Sequence, residues 1–94
     1  MNFQDNISQK SNEETELQKF SNRGKEFNGL LNTASYLSAR NRWDESKEKM
    51  NKAKEILLIF EADRTTPKKI YDAAKQRLYD TERRIKGIGV LIAS

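Results

Sequence analysis

Cysteine and histidine are absent from this chain of 94 residues. Without cysteine it can form no disulfide framework, zinc–thiolate site or iron–sulfur cluster, and it offers no thiol nucleophile. Without histidine it lacks an imidazole general base and an imidazole metal ligand. Its acidic pairs, such as Asp44 and Glu45, stand beside Lys or Arg on predicted exposed faces. We therefore expect a protein that is not an enzyme and that uses no catalytic residues, metal or cofactor.

Long apolar runs are also missing. The longest, Ile56–Phe60, has five residues, whereas a helix that crosses a membrane needs about 20. Residues 1–6 lack the basic and apolar regions of a secretion signal. Together with the absence of cysteine, this predicts a cytoplasmic protein with no membrane partner.

Glycine and proline are scarce, at four and one residues, and apolar residues recur at steps of three and four, the spacing of one helix face. This periodicity predicts helices at about residues 12–40, 44–62 and 67–87, preceded by a flexible arm at residues 1–10. The three apolar stripes are Leu17, Phe20, Gly24, Phe27, Leu31 and Ala34; Trp43, Ser46, Met50, Ala53, Leu57 and Phe60; and Ile70, Ala74, Leu78, Thr81, Ile85 and Ile88.

Two short breaks separate the predicted helices. Asn41–Asp44 is typical of a turn whose last residue is a good N-cap, and Asp63–Pro67 ends in a proline suited to the first helical position. Gly87 and Gly89 loosen or end the third helix. Because short connections force neighbouring helices to run antiparallel, we predict an all-α, up-down-up three-helix bundle over residues 11–94, with a short apolar C-terminal tail.

The predicted helices carry more apolar surface than a three-helix bundle can cover. Leu58 and Ile59 lie off the main stripe of the second helix, and the tail after Ile88 is apolar. Each feature is either buried by the rest of the bundle or meets a partner or a second copy, and we expect at least one of them to be a binding surface. The candidate partner-binding residues are Leu58, Ile59, Ile88, Val90, Leu91 and Ile92.

The excess of positive charge lies entirely in residues 67–94, which hold seven basic and three acidic side chains, while residues 1–66 hold eleven of each. Such a segment attracts acidic partners or phosphate. Tyr79 stands among lysines on the predicted outer face, where an aromatic ring can stack on a base or anchor a peptide. The candidate contacts for an anionic partner or nucleic acid are Lys68, Lys69, Lys75, Tyr79, Arg83 and Arg84.

The same helix has a second interpretation, a solvated face held by ion pairs. Asp72 and Glu82 interrupt the basic row, whereas nucleic-acid surfaces usually leave their cations free for phosphates. At helical spacing these two acids are expected to pair with Lys68, Lys75 and Lys86. The spacing favours this interpretation, and it leaves Arg83 and Arg84 as the best unpaired cations.

Residues 39–46, Ala-Arg-Asn-Arg-Trp-Asp-Glu-Ser, followed by Met50 and Ala53, resemble the helical hairpin of a tetratricopeptide repeat. The hairpin and the third helix together, residues 30–86, resemble the three-helix domain of microtubule-interacting and trafficking proteins. The resemblance implies a peptide-binding bundle whose grooves flank the third helix. The sequence departs from the repeat at Thr33 and Ser46, and from the trafficking domain near Glu82, where that domain keeps a small apolar residue.

These patterns predict a non-catalytic protein-binding module. It would be an adaptor, or a small inhibitor or regulator that docks helix faces onto a larger protein or complex, as many small phage and mobile-element proteins do. The alternatives are a nucleic-acid-binding protein that uses the basic third helix, and a structural homo-oligomer, such as a homodimer, of helical chains.

Overall fold

The computed structural model describes residues 12–93, and the side chains of residues 12–89. Within that range the chain is all-helical, as predicted, but it forms four helices where three were expected. They are α1 (Asn12–Phe20), α2 (Asn22–Ala39), α3 (Trp43–Ala62) and α4 (Lys68–Ala93). The predicted flexible arm, residues 1–10, lies outside the described residues.

The predicted first helix is interrupted at Ser21. This residue has extended backbone angles, with φ of −168°, and its Oγ accepts a hydrogen bond from the Gly24 amide at 3.1 Å. Its carbonyl accepts from the Lys25 amide, also at 3.1 Å. Ser21 is therefore the N-cap of a new helix. The apolar rhythm of three and four continues through this position, so periodicity alone predicted one helix where there are two.

At Ser21 the chain folds back, so that α1 packs beside α2. Leu17 is fully buried against Gly24, and a Cβ atom at Gly24 would collide with the backbone carbonyl of Leu17. The Asn28 side-chain amide donates to the Glu14 carbonyl at 2.9 Å, which ties the two helices together further along. The absence of a side chain at Gly24 is therefore what permits this close approach.

The turn between α2 and α3 spans residues 40–42. Asn41 has a φ of 65°, a left-handed conformation that asparagine tolerates better than most residues. The Arg42 amide donates to the Leu37 carbonyl at 2.9 Å and the Asn41 amide to the Ser38 carbonyl at 3.0 Å, which is a Schellman ending. Because α3 begins directly after this turn, Arg42 occupies the N-cap position that was expected at Asp44.

Small polar residues let α2 and α3 approach closely. Ser38 and Ser46 are buried with their hydroxyl oxygens 2.6 Å apart, and the Ser46 hydroxyl donates to the Ala34 carbonyl at 2.8 Å. At the other end of the hairpin the rings of Phe27 and Phe60 lie 6.4 Å apart. The hairpin is therefore antiparallel along its whole length.

Helices α2 and α4 form the centre of the molecule. Helix α1 packs on both of them from one side and α3 from the other. Arg77 on α4 contacts Asn28 on α2, and Gly89 lies beside Trp43 at the start of α3, so α2, α3 and α4 run up, down and up. The buried core between the helices contains Leu17, Phe27, Leu31, Ala34, Met50, Ala53, Ile56, Phe60, Ile70, Ala73, Ala74 and Leu78.

Helix α4 is longer than predicted. It continues to Ala93, and Gly87 and Gly89 neither end it nor adopt positive φ. The predicted end of this helix near residue 87 is therefore wrong, and the apolar tail continues the helix. Extending an established helix adds one hydrogen bond for each residue fixed, and this outweighs the roughly 1 kcal/mol by which each glycine disfavours the helix.

Arg77 is a buried cation between α2 and α4. Its Nε donates to Asn28 Oδ1 at 3.2 Å and its Nη2 to Asn32 Oδ1 at 3.3 Å. Burial lowers the pKa of the guanidinium, an effect that the nearby Glu14 carboxylate opposes. Arginine stays charged in proteins, so these amide oxygens are needed to replace the lost water.

We predict that Gly24→Ala and Gly29→Ala change stability in opposite directions. Alanine at position 24 meets the Leu17 backbone and should lower the free energy of unfolding by about 1–3 kcal/mol or more. Gly29 lies exposed in the same helix, and a Cβ atom there would meet no neighbour within 4 Å, so alanine should raise the free energy of unfolding by up to about 1 kcal/mol. Urea unfolding followed by circular dichroism measures both. Equal effects of the two substitutions would contradict the close contact between Gly24 and the Leu17 backbone.

We also predict that Asn28 and Arg77 are energetically coupled. Asn28→Ala should lower the free energy of unfolding by about 1–3 kcal/mol, because it leaves a buried guanidinium short of an acceptor. In the double variant with Arg77→Met that penalty should shrink, giving a coupling energy of about 0.5–3 kcal/mol. Asn51→Ala, at an exposed position on α3, serves as the control. Additive effects of the two substitutions would disprove the coupling.

Candidate binding surfaces

Leu58 and Ile59 are exposed on α3, at 62% and 41%. Successive helix residues are turned by about 100°, so the two side chains lie on different sides of the helix. Leu58 is on the same side as Lys47 and Lys54, which border α4, and Ile59 is turned away from it. The two residues therefore do not form a single patch, although their sequence proximity suggested one.

The predicted tail residues divide into two groups. Ile88 is half-buried on α4, one turn after the half-buried Ile85. Val90, Leu91 and Ile92 belong to the helical backbone, and their side chains lie outside the described part of the chain. Ile88 is thus only partly available to a partner.

An open groove of about 350 Å³ runs between α3 and α4. Both helices pack on α2, and of the packed helix pairs these two pack on each other least. The apolar part of the groove is formed by Trp43, Met50 and Ile85. Its complete lining is Trp43, Ser46, Lys47, Met50, Asn51, Lys54, Glu82, Ile85 and Lys86.

Helical periodicity did not predict this groove. Trp43, Met50 and Ile85 belong to the apolar stripes and were assigned to the core. In the structure Met50 is buried, Ile85 is half-buried and Trp43 is 36% exposed. Where two helices pack loosely on each other, the outermost residues of their apolar stripes become exposed. The spacing of apolar residues does not show how closely two helices pack. The available signals were the lysines next to the stripe on both helices and the family resemblance, which implied grooves that flank the third predicted helix.

The edges of the groove are predominantly basic. Lys47, Lys54 and Lys86 lie along it, together with the carboxylate of Glu82. Lys54 Nζ is 3.2 Å from Glu82 Oε2, so an ion pair within the groove joins α3 to α4. Both side chains are more than a third exposed, and such pairs contribute little to stability. The groove thus combines an apolar floor with a net positive edge.

The acidic residues of α4 are engaged differently from the prediction. Asp72 pairs with Lys68 at 2.9 Å, as expected, but Glu82 pairs with Lys54 of α3 and not with a lysine of its own helix. Lys69 also has a partner, Glu16 of α1, at 2.8 Å. Within residues 12–89, four exposed cations of α4 have no carboxylate partner: Lys75, Arg83, Arg84 and Lys86.

Aromatic rings accompany two of these cations. Tyr79 is 57% exposed, and Arg83 Cζ lies 5.7 Å from the centre of its ring. Lys75 Nζ lies 5.4 Å from the centre of the Tyr71 ring. At about 100° per residue, Lys68, Lys75, Tyr79 and Arg83 share an arc of about 80° on α4. Lys69 and Arg84, which were predicted to belong to the same surface, fall outside it.

A larger hollow of about 610 Å³ lies between α1 and α4. The Lys69–Glu16 and Lys68–Asp72 ion pairs cross its edges, so both of its lysines are already engaged by carboxylates. In the described range no group of three or more acidic side chains is placed to hold a metal ion. Of the four helices described, none combines the length and apolar character that a membrane crossing requires.

Compared with known proteins, the chain matches no protein-family model, no curated protein and no solved structure. The similarity to a tetratricopeptide hairpin and to the microtubule-interacting and trafficking domain therefore stays a prediction from sequence.

Proposed function

We propose that this chain is a non-catalytic protein-binding module whose α3–α4 groove receives a segment of a larger protein. The observation that carries the proposal is the groove itself, with an apolar floor open to solvent. Leu58 extends the same surface along α3, since it lies one turn beyond Lys54. Exposed apolar surface bordered by polar residues is typical of protein–protein contacts.

The charge of the groove defines the partner segment. Lys47 and Lys86 flank the apolar floor without a carboxylate partner in the described residues, whereas Lys54 has Glu82. A segment with apolar side chains flanked by carboxylates would bury the former against Met50 and place the latter near the lysines. Binding of such a segment would make the protein an adaptor, inhibitor or regulator of the protein that carries it.

A second copy of this chain fits the groove less well. The chain has a net charge of +4, and its whole excess lies on the segment that forms one wall of the groove. Self-association through this surface would bring like charges together. We therefore expect a monomer in sedimentation experiments, and a dimer that disappears in the Leu58→Ser variant would support the homo-oligomer alternative.

The first prediction from this proposal concerns the charge of selected ligands. Peptides selected on the wild-type chain from a random library should combine apolar and acidic residues. The double variant Lys47→Glu/Lys86→Glu should bind those peptides at least about tenfold more weakly, because like charges then face each other. Fluorescence anisotropy measures the affinities. Lys52→Glu, an exposed substitution on the opposite side of α3, should leave them unchanged, and equal losses in both variants would refute the proposed site.

A second prediction separates the two exposed apolar residues. Leu58→Ser should weaken binding of the same peptides by up to about tenfold, since burial of a leucine contributes about 1.5–3 kcal/mol when complete. Ile59→Ser should not weaken it, because that side chain lies on another side of α3. Circular dichroism should show unchanged helicity in both variants. Equal losses of affinity would place the binding surface elsewhere on α3.

A further inference from the structure

The outward face of α4 around Tyr79 carries a second feature that the groove does not explain. We propose that this face, defined by Lys75, Tyr79, Arg83 and Lys86, binds single-stranded nucleic acid. The site is separate from the proposed protein-binding groove, except that Lys86 borders both.

The first support is the uncompensated charge. The three carboxylates of α4 are engaged by other groups: Asp72 by Lys68, Glu82 by Lys54 of α3, and Asp80 by the Gln76 amide at 2.9 Å. Lys75, Arg83 and Lys86 therefore have no carboxylate partner within residues 12–89. Free cations of this kind can replace the counterions of a phosphate backbone.

The second support is the exposed ring of Tyr79. It remains 57% exposed although Arg83 lies over it. Beside it is a shallow hollow of about 400 Å³, lined by Asp72, Lys75, Gln76 and Tyr79. A tyrosine ring next to an arginine gives two planar groups on which an unpaired base can stack. Gln76 adds an amide beside the stacked position.

The arrangement favours a single strand over a duplex. From Lys75 to Lys86 the face is a straight row about 17 Å long, at 1.5 Å per residue. A flexible single strand can follow this row with its backbone along the cations and one base on Tyr79. In a duplex the faces of the bases are already stacked on one another, so the tyrosine would have nothing to bind.

A similar pair elsewhere in the molecule gives a matched comparison. Tyr36 on α2 is 55% exposed, and Arg40 Cζ lies 5.0 Å from its ring centre. The preceding helical neighbours of Tyr36, Asn32 and Thr33, are uncharged. The other cation near its ring, Arg42, is paired with Glu45 at 2.6 Å. The two tyrosines thus share exposure and an arginine contact, and differ in the surrounding cations.

The experiment is a salt titration of a fluorescent oligothymidylate of about 16 nucleotides with the full chain. With three cations engaged, the slope of log K against log salt should be about −2, and Lys75→Gln or Arg83→Gln should reduce its magnitude by about 0.7. Tyr79→Ala should weaken binding by about 5- to 150-fold, and Tyr79→Phe should retain most of it. Tyr36→Ala/Arg40→Gln should bind like the wild type.

Several results would overturn the proposal. One is the absence of oligothymidylate binding at low salt. Another is a loss of affinity in the Tyr36→Ala/Arg40→Gln variant equal to that in Tyr79→Ala. A third is an affinity for duplex DNA or for polyglutamate equal to that for oligothymidylate, which would show a general attraction for anions. Lys47→Glu lies in the groove and away from this face, and it should leave oligothymidylate binding nearly unchanged. A failure here is therefore distinguishable from a failure of the groove, which is tested with peptides.

Discussion

The close contact between the Leu17 backbone and Gly24 determines how the four helices are arranged. It lets α1 fold back at Ser21 and cover the α2–α4 pair on one side, over the polar contacts of Asn28 and Arg77. Helix α3 then covers the other side. Both sides of the central pair are occupied, and in the described residues nothing lies over the outer side of α3 and α4. The exposed Leu58 and the open groove follow from this distribution.

Much of the helical architecture could be predicted from spacing. Leu17, Phe27 and Leu31 are buried as their stripe requires. Leu58 lies off its stripe and is exposed, one of the two outcomes that the sequence left open. Residues three and four apart share a face whatever the tertiary structure, so these predictions needed only the helical period. The topology of α2, α3 and α4 followed from their short connections.

The failures have a common cause, since each depends on contacts between elements distant in sequence. The helix break at Ser21 is stabilised by a local cap, and it lets Leu17 of α1 pack on Gly24 of α2. The spacing of apolar residues does not reveal this contact between the two helices. Glu82 was expected to pair within its own helix and instead reaches Lys54 of α3. The groove arises because α3 and α4 separate slightly, which depends on how both pack on α2. Side-chain identity alone does not fix any of these distances.

The ion pair between Glu82 and Lys54 also connects the two proposed surfaces. Glu82 reaches across the groove to Lys54 of α3, and Lys86 of its own helix is left with no carboxylate partner in the described residues. The same contact thus shapes the edge of the apolar groove and the basic outward face. The two proposed surfaces therefore lie on neighbouring sides of one helix and differ in their chemistry.

Both the proposed protein-binding site and the exposure of Leu58 require that the α3–α4 groove stays uncovered in the full chain. A soluble, neutral paramagnetic probe measures this through the relaxation that it induces in side-chain NMR signals. We expect strong relaxation of the Leu58 methyl groups and the Trp43 ring, and little effect on the buried Leu31. Protection of Leu58 and Trp43 to the level of Leu31 in the free protein would contradict it.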